Sequence, residues 1–112
     1  MNTREKLLGL SRKSQTVNIE GVTVIVKEMT AGEGADYENS LYKIVNGKPV
    51  VNTTNAKAKL IALTCFDEQG EKLFDMKDLE QVKLLPNSVS AKLFDVATEI
   101  NRLEADEDAV KN

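Results

Sequence analysis

The residues of this chain that are able to do chemistry are few, and turns and helix caps explain their spacing. There is no histidine, which removes the commonest general base at neutral pH and a leading metal ligand. The single cysteine, Cys65, lies in an apolar run where a thiol is expected to be a small core residue. Asp75 and Asp78 stand at the start of a predicted helix, where the helix dipole favours carboxylates. We therefore predict that the chain is not an enzyme.

Two short patterns are similar to binding loops but lack essential parts of them. Asp67-Glu68-Gln69-Gly70 has the acidic start of a calcium loop, but the alternating ligands and the closing Glu are missing. The glycines Gly32 and Gly34 are not followed by the further glycine or lysine that a phosphate-binding loop needs. We predict no metal site and no cofactor.

The composition is that of a small folded domain without an obvious charged or membrane-bound partner. The chain has 112 residues, of which 41% are hydrophobic and 29% are charged. Its net charge of −3 argues against binding to a nucleic-acid backbone. Apolar stretches are too short for a membrane span, and the chain does not begin with a signal-peptide pattern. We expect a cytoplasmic protein that binds neither nucleic acid nor membrane.

The strongest strand signal lies near the N-terminus and predicts a β-hairpin. The runs 16–19 and 22–27 are rich in β-branched residues, and Glu20-Gly21 separates them. In the second run Val22, Val24 and Val26 share one face, so that face is expected to pack while the other stays partly wet. Such a hairpin is only marginally stable by itself in water, so helices of the same chain or a partner must cover it.

Four helices are predicted after the hairpin, over about 31–45, 53–66, 76–85 and 88–103. The first begins at a capping box made by Thr30 and Glu33. The last is the most regular, with apolar residues at three- and four-residue steps. The fold class is therefore α+β, mainly helical, with an N-terminal β-hairpin followed by about four helices. The predicted core includes Leu60, Leu63, Phe66, Leu93, Val96 and Ile100.

The predicted organisation is one domain with two charged ends. Residues 1–13 form a basic segment with the pattern of a short helix, residues 14–103 form the α+β domain, and residues 104–112 form an acidic tail. Because the predicted core is thin, we expect apolar side chains to remain for contacts with other molecules or other copies. Whether they are instead buried within the chain is left open by the sequence. The interface candidates are Leu7, Leu8, Ile25, Leu41, Tyr42 and Val45.

The order of the segments over about residues 14–103 resembles the tail assembly chaperones of long-tailed bacteriophages. The β-rich segment, a helix opened by a Met-Thr-x-x-Glu sequence, an apolar helix followed by Asp-x-x-Gly, and a final helix with Leu-Phe-x-x-Ala all occur in the same order. Gly32 and Gly34 depart from that pattern, since the family more often has helix-favouring residues there. The residues that carry the resemblance are Met29, Thr30, Glu33, 55–70, Leu73, Phe74, Asp78, Leu79, Leu93, Phe94, Ala97, Ile100 and Asn101.

The resemblance implies a function and a set of partners. Such chaperones bind the tape measure protein, keep it soluble, promote assembly of the tail tube and are not retained in the virion. They form homo-oligomers in the host bacterial cytoplasm, and a form extended by translational frameshifting is implied to contact the tail tube protein. Val110-Lys111-Asn112 can be encoded by codons that allow such a frameshift. Sequencing of the gene around these codons tests this hypothesis.

An alternative function is a structural tail-completion or minor virion protein. Mass spectrometry of purified virions separates the two, because a chaperone is absent from the finished particle. A small DNA-binding regulator is a third alternative, which the lack of a basic recognition helix disfavours.

Overall fold

The computed structural model describes residues 2–53 and 55–101, so the predicted acidic tail, 104–112, and the last two residues of the predicted final helix lie outside the described residues. The described part is α+β, with five α-helices, one 3₁₀ turn and two small antiparallel sheets. The strand content exceeds the mainly helical prediction, because a second hairpin is present. The elements are α1 Thr3–Leu8, β1 Ser14–Ile19, β2 Val22–Lys27, α2 Ala31–Ser40, β3 Tyr42–Val45, β4 Lys48–Val51, α3 Ala56–Thr64, β5 Cys65–Phe66, a 3₁₀ turn Met76–Asp78, α4 Leu79–Val82 and α5 Asn87–Asn101.

The predicted N-terminal hairpin is confirmed. Strands β1 and β2 pair antiparallel, with Val17 opposite Val24. The turn residues Glu20 and Gly21 both have positive φ, at 50° and 86°, which suits a tight hairpin turn. Val24 and Val26 are buried on one face, whereas Ile25 on the other face is only partly buried.

Helix α3 is the centre of the core and is shorter than predicted. Nearly every residue from Ala58 to Thr64 is buried, because α2, α4 and α5 all pack against this helix. The prediction of a helix through Phe66 is wrong, since the helix ends at Thr64. Cys65 and Phe66 form β5, which pairs with the free edge of β2 opposite Val26 and Ile25. Backbone pairing with the sheet thus replaces the last helical turn.

Helix α2 begins as predicted and ends earlier than predicted. The Thr30 hydroxyl accepts from the Glu33 amide at 3.2 Å, and the Glu33 carboxylate accepts from the Thr30 amide at 3.0 Å. The capping box therefore offsets the weak helix propensity of Gly32 and Gly34. The helix ends at Ser40, however, and the predicted continuation to about Val45 is wrong.

Residues 42–51 form a second hairpin in place of that continuation. Strands β3 and β4 pair antiparallel around Asn46 and Gly47, whose φ values of 53° and 77° are both positive. Positive φ at both central residues defines the two-residue turn that Asn-Gly favours most strongly. The turn chemistry, together with the β-branched residues on either side, outweighs the weak helical spacing of Leu41 and Val45.

The C-terminal half matches the prediction in outline. Asp75 and Asp78 form a capping box at the 3₁₀ turn that leads into α4, with the Asp75 amide donating to Asp78 Oδ2 at 3.0 Å. Helix α5 buries Leu93 and Val96 against α3, and Ile100 packs partly buried beside them. The predicted core residues Leu60, Leu63, Leu93 and Val96 all lie in the core cluster.

Phe66 is buried on the opposite face of the sheet from that core. It pairs with Ile25, whose neighbour Val26 points into the core, so Phe66 and Ile25 share the outer face. Two cations cover its ring, with Lys27 Nζ 4.5 Å and the Arg12 guanidinium 5.7 Å from the centroid. The N-terminal segment is thus held against the outer face of the sheet.

Asn101 joins the end of α5 to the end of the first hairpin, and its removal tests this connection. Its Oδ1 accepts from the Met29 amide at 2.7 Å, and its Nδ2 donates to the Ala97 carbonyl at 2.8 Å. Asn101→Ala should lower the free energy of unfolding by about 1–2 kcal/mol, because it leaves a part-buried amide without its acceptor. Urea denaturation measures this. An unchanged free energy of unfolding in the Asn101→Ala variant would contradict this role.

Candidate interaction surface

The structure brings no catalytic constellation together in its described part. Among residues 2–53 and 55–101, no group of three or more Cys, Asp or Glu side chains is arranged to hold a metal ion. No helix in the same ranges has the length and apolar character needed to cross a bilayer. The features that stand out there are exposed apolar side chains.

Cys65 is buried in the core, where the thiol is inert. Burial raises the pKa of the thiol to about 11, while the nearby Thr64 hydroxyl, 3.8 Å from Sγ, acts in the opposite direction. The Thr64 hydroxyl is itself held by the Leu60 carbonyl at 2.7 Å. The thiol therefore remains protonated and inaccessible at neutral pH.

Alkylation of the native chain tests this description of Cys65. At mildly alkaline pH, iodoacetamide should label the folded chain at least about a hundredfold more slowly than the chain in urea, because labelling requires opening of the core. A raised folded-state pKa stabilises the fold below the ordinary value of 9.0, and this contribution is lost as the pH rises towards about 11. Equal labelling rates with and without urea would show that the thiol is exposed.

The predicted interface residues lie in three separate places. Leu7 and Leu8 are exposed on α1, and Ile25 is partly buried on the outer face of the first sheet. Tyr42 and Val45 are exposed on the second hairpin. Leu41 ends α2 at the base of that hairpin and packs partly buried against the core. None of these positions is tested as an interface by the fold itself, so their role remains a prediction.

The second hairpin presents an apolar face that packs against no core. All eight residues of its two strands are exposed. In the antiparallel register Tyr42 lies opposite Val51, and Ile44 lies opposite Pro49. Because paired residues point to the same side and successive pairs alternate, these four share one face, which we call the apolar hairpin face.

The other face of the hairpin carries two cations beside its apolar residues. Lys43 pairs with Val50, and Val45 pairs with Lys48. Both valines are less exposed than Ile44 and Val51, the latter two keeping 70% and 63% of their accessible surface. The apolar hairpin face is therefore the one that is left most open to solvent.

The hairpin is anchored at its base rather than along its length. The Asn52 amide donates to the Leu41 carbonyl, and Lys59 Nζ donates to the Ser40 carbonyl at 3.3 Å. A two-stranded hairpin without further packing is only marginally stable in water. Nothing in the described part of the chain covers the apolar hairpin face.

Sequence reasoning missed most of the apolar hairpin face, although one signal was available. Ile44, Pro49 and Val51 are not among the candidates, because the predicted helix extends to about residue 45 and no element is predicted between it and residue 53. Asn46-Gly47 between apolar residues is the strongest short-range hairpin signal, and it would have revealed the alternation of the two strands.

The N-terminal segment forms a second exposed apolar surface. Asn2 caps α1 by accepting from the Glu5 amide at 2.8 Å, and Leu7, Leu8 and Leu10 remain exposed. The segment is tied to the sheet through Lys13, whose carbonyl accepts from the Glu28 amide at 2.8 Å. Helix α1 therefore projects its leucines from a fixed attachment point, where they are available to another molecule.

A comparison of whole structures places this arrangement among known folds. No protein-family model matches the chain, and no characterised protein matches it in sequence. The solved structure of the tail assembly chaperone of bacteriophage HK97 matches with a TM-score of 0.62, covering 88% of this chain and 98% of that chain at 18% identity. The likeness extends over nearly the full length of both chains. The chain therefore has the fold of a phage tail assembly chaperone.

Proposed function

We propose that this chain is a phage tail assembly chaperone that binds the tape measure protein, keeps it soluble and promotes assembly of the tail tube. The observation that carries the proposal is the shared fold with the HK97 tail assembly chaperone over 98% of that chain. The order of sequence segments independently points to the same family. The exposed apolar surfaces supply a physical means of covering an apolar client.

The proposed mechanism is reversible burial of apolar surface. A long amphipathic helix exposes an apolar stripe that aggregates in water unless another surface covers it. The apolar hairpin face offers Tyr42, Ile44 and Val51 for this purpose, and α1 offers Leu7 and Leu8. Neither surface takes part in the core, so each is free to bind and release without unfolding the chain.

Self-association belongs to the same proposal. The hairpin and α1 are two separate apolar surfaces, so one can contact the client while the other contacts a further copy of the chain. The proposed place of action is the host bacterial cytoplasm, and a frameshift-extended form would connect the complex to the tail tube protein. The proposal assigns no catalytic role to any residue.

Two experiments test this function. The first deletes the gene from the phage that carries it, and the second is mass spectrometry of purified wild-type virions. We expect that the deletion strain forms heads without tails, and that the protein is absent from purified wild-type particles. Normal tails in the deletion strain would contradict the chaperone function. Stoichiometric presence in the virion would instead support a structural tail-completion protein.

A further inference from the structure

A groove of about 670 Å³ lies between α3, α4 and α5. Its floor is apolar: Ala58 and Val82 are almost fully buried, and Leu85 and Phe94 pack partly buried against the core. A groove of this volume accommodates one or two large apolar side chains of a partner. Because the floor belongs to the core, its shape is fixed by the fold.

The rim of the groove is basic. Lys57 Nζ lies 5.4 Å from the centroid of the Phe94 ring, directly over the apolar floor. Lys83 Nζ donates to Asn55 Oδ1 at 3.1 Å on the opposite side and also pairs with the exposed Glu80 at 2.6 Å. Both lysines line the groove. The lining therefore carries two lysines and no acidic residue, and Glu80, which pairs with Lys83, lies outside it on the exposed surface.

The starts of α3 and α5 add to that charge. Their first turns, both within the described residues, carry no acidic residue, whereas the first turn of α4 carries Glu80, which pairs with Lys83. Asn55 precedes α3 but makes no side-chain cap, since its amide oxygen accepts from Lys83. The groove therefore favours a partner that carries negative charge at the edge of an apolar contact.

We propose that this groove binds an acidic amphipathic helix of the client protein, with apolar side chains on the floor and carboxylates at Lys57 and Lys83. This proposal rests on the proposed function, because the client is the protein that the chaperone keeps soluble. A helix satisfies its own backbone hydrogen bonds, so it can dock where the groove offers side chains. A β-strand would need a free strand edge, and the groove lies between helices.

A second copy of the chain fits the groove less well than an acidic client. The exposed leucines of α1 are accompanied by Arg4 and Lys6 against a single Glu5, and the hairpin carries Lys43 and Lys48. Either element would bring like charges to the basic rim, which opposes docking. The occupant is therefore a segment of opposite charge.

Binding of client peptides to the full chain tests the groove. The probe is a set of overlapping peptides from the tape measure protein of the same genome, each long enough for about five helical turns. Fluorescence anisotropy should show that the peptides that bind combine apolar residues at helical spacing with Asp or Glu. The double variant Lys57→Glu and Lys83→Glu should weaken that binding by about tenfold or more.

The matched control is Lys77→Glu with Lys92→Glu, which makes the same change in net charge at exposed positions outside the groove. It should leave binding unchanged. Ser90→Trp places a bulky side chain in the groove without changing charge, and it should also weaken binding. Circular dichroism of each variant establishes that the fold is retained.

Three outcomes would overturn the proposal. Wild-type affinity in the groove variants, or equal loss in the control, would show that the groove is not the binding site. Tighter peptide binding after removal of residues 104–112 would show that the acidic tail is the occupant. If no peptide binds but the whole tape measure protein is kept soluble, the groove proposal fails while the proposed function stands.

Discussion

Replacing Ile44 and Val51 together by threonine should weaken the binding of the tape measure protein by about a hundredfold, while the stability of the chain stays nearly unchanged. Both side chains are exposed in the free chain, so their replacement removes little internal packing. Threonine is β-branched and keeps the strand preference of both positions. If both side chains are buried on binding, the loss is about 3 kcal/mol, or about a hundredfold in affinity.

Val22→Thr provides the matched control for the hairpin variant. Val22 is likewise an exposed strand valine, with 62% of its surface accessible, but it lies at the turn of the first hairpin. We expect this variant to recover the tape measure protein as well as the wild type does. Undiminished recovery by the double threonine variant would show that the apolar hairpin face does not contact the client.

Leu60→Ala should have the largest effect on stability, lowering the free energy of unfolding by about 3–4 kcal/mol. Leu60 is fully buried in α3, which packs against α2, α4 and α5, so its truncation leaves a cavity that the surrounding elements cannot close. Since domains of this size are stable by only about 5–15 kcal/mol, the variant should unfold at much lower urea concentration.

Leu84→Ala is the same substitution at a surface position and serves as its control. Leu84 keeps 83% of its accessible surface, against 0% for Leu60. Its truncation should change the free energy of unfolding by less than about 0.5 kcal/mol. Equal losses in the two variants, measured by urea denaturation, would contradict the assignment of α3 to the centre of the core.

The elements that local sequence signals specify were predicted correctly. The β-branched runs around Glu20-Gly21 gave the first hairpin, because both the turn and the alternation of faces are local properties. The capping box of Thr30 and Glu33 marked the start of α2 in spite of its glycines. The apolar spacing from Val89 to Ile100 predicted α5 and its buried face.

The second hairpin was missed because two signals competed in the same residues. Tyr37 and Leu41 continue a helical spacing as far as Val45, and the helix was therefore extended. The Asn46-Gly47 turn argues for a hairpin over the same stretch, and the structure shows that turn chemistry prevails. The four-residue strands are too short for their alternation to be decisive alone.

Features that depend on distant parts of the chain were not predictable from local patterns. Strand β5 has only two residues, and it forms because it pairs with the edge of β2. The basic groove arises where α3, α4 and α5 meet, so Lys57, Lys83 and Phe94 share no local sequence pattern. Tyr42 and Val45 are both predicted contact residues, but only the register of the hairpin shows that they lie on its opposite faces.

The most direct test of the chaperone function is co-expression of this chain with the tape measure protein of the same genome. We expect the tape measure protein to be insoluble when it is expressed alone. With the chain present, it should become soluble and co-purify with it through an affinity step and size-exclusion chromatography. A tape measure protein that stays insoluble with both this chain and a frameshift-extended form of it would contradict the proposed function.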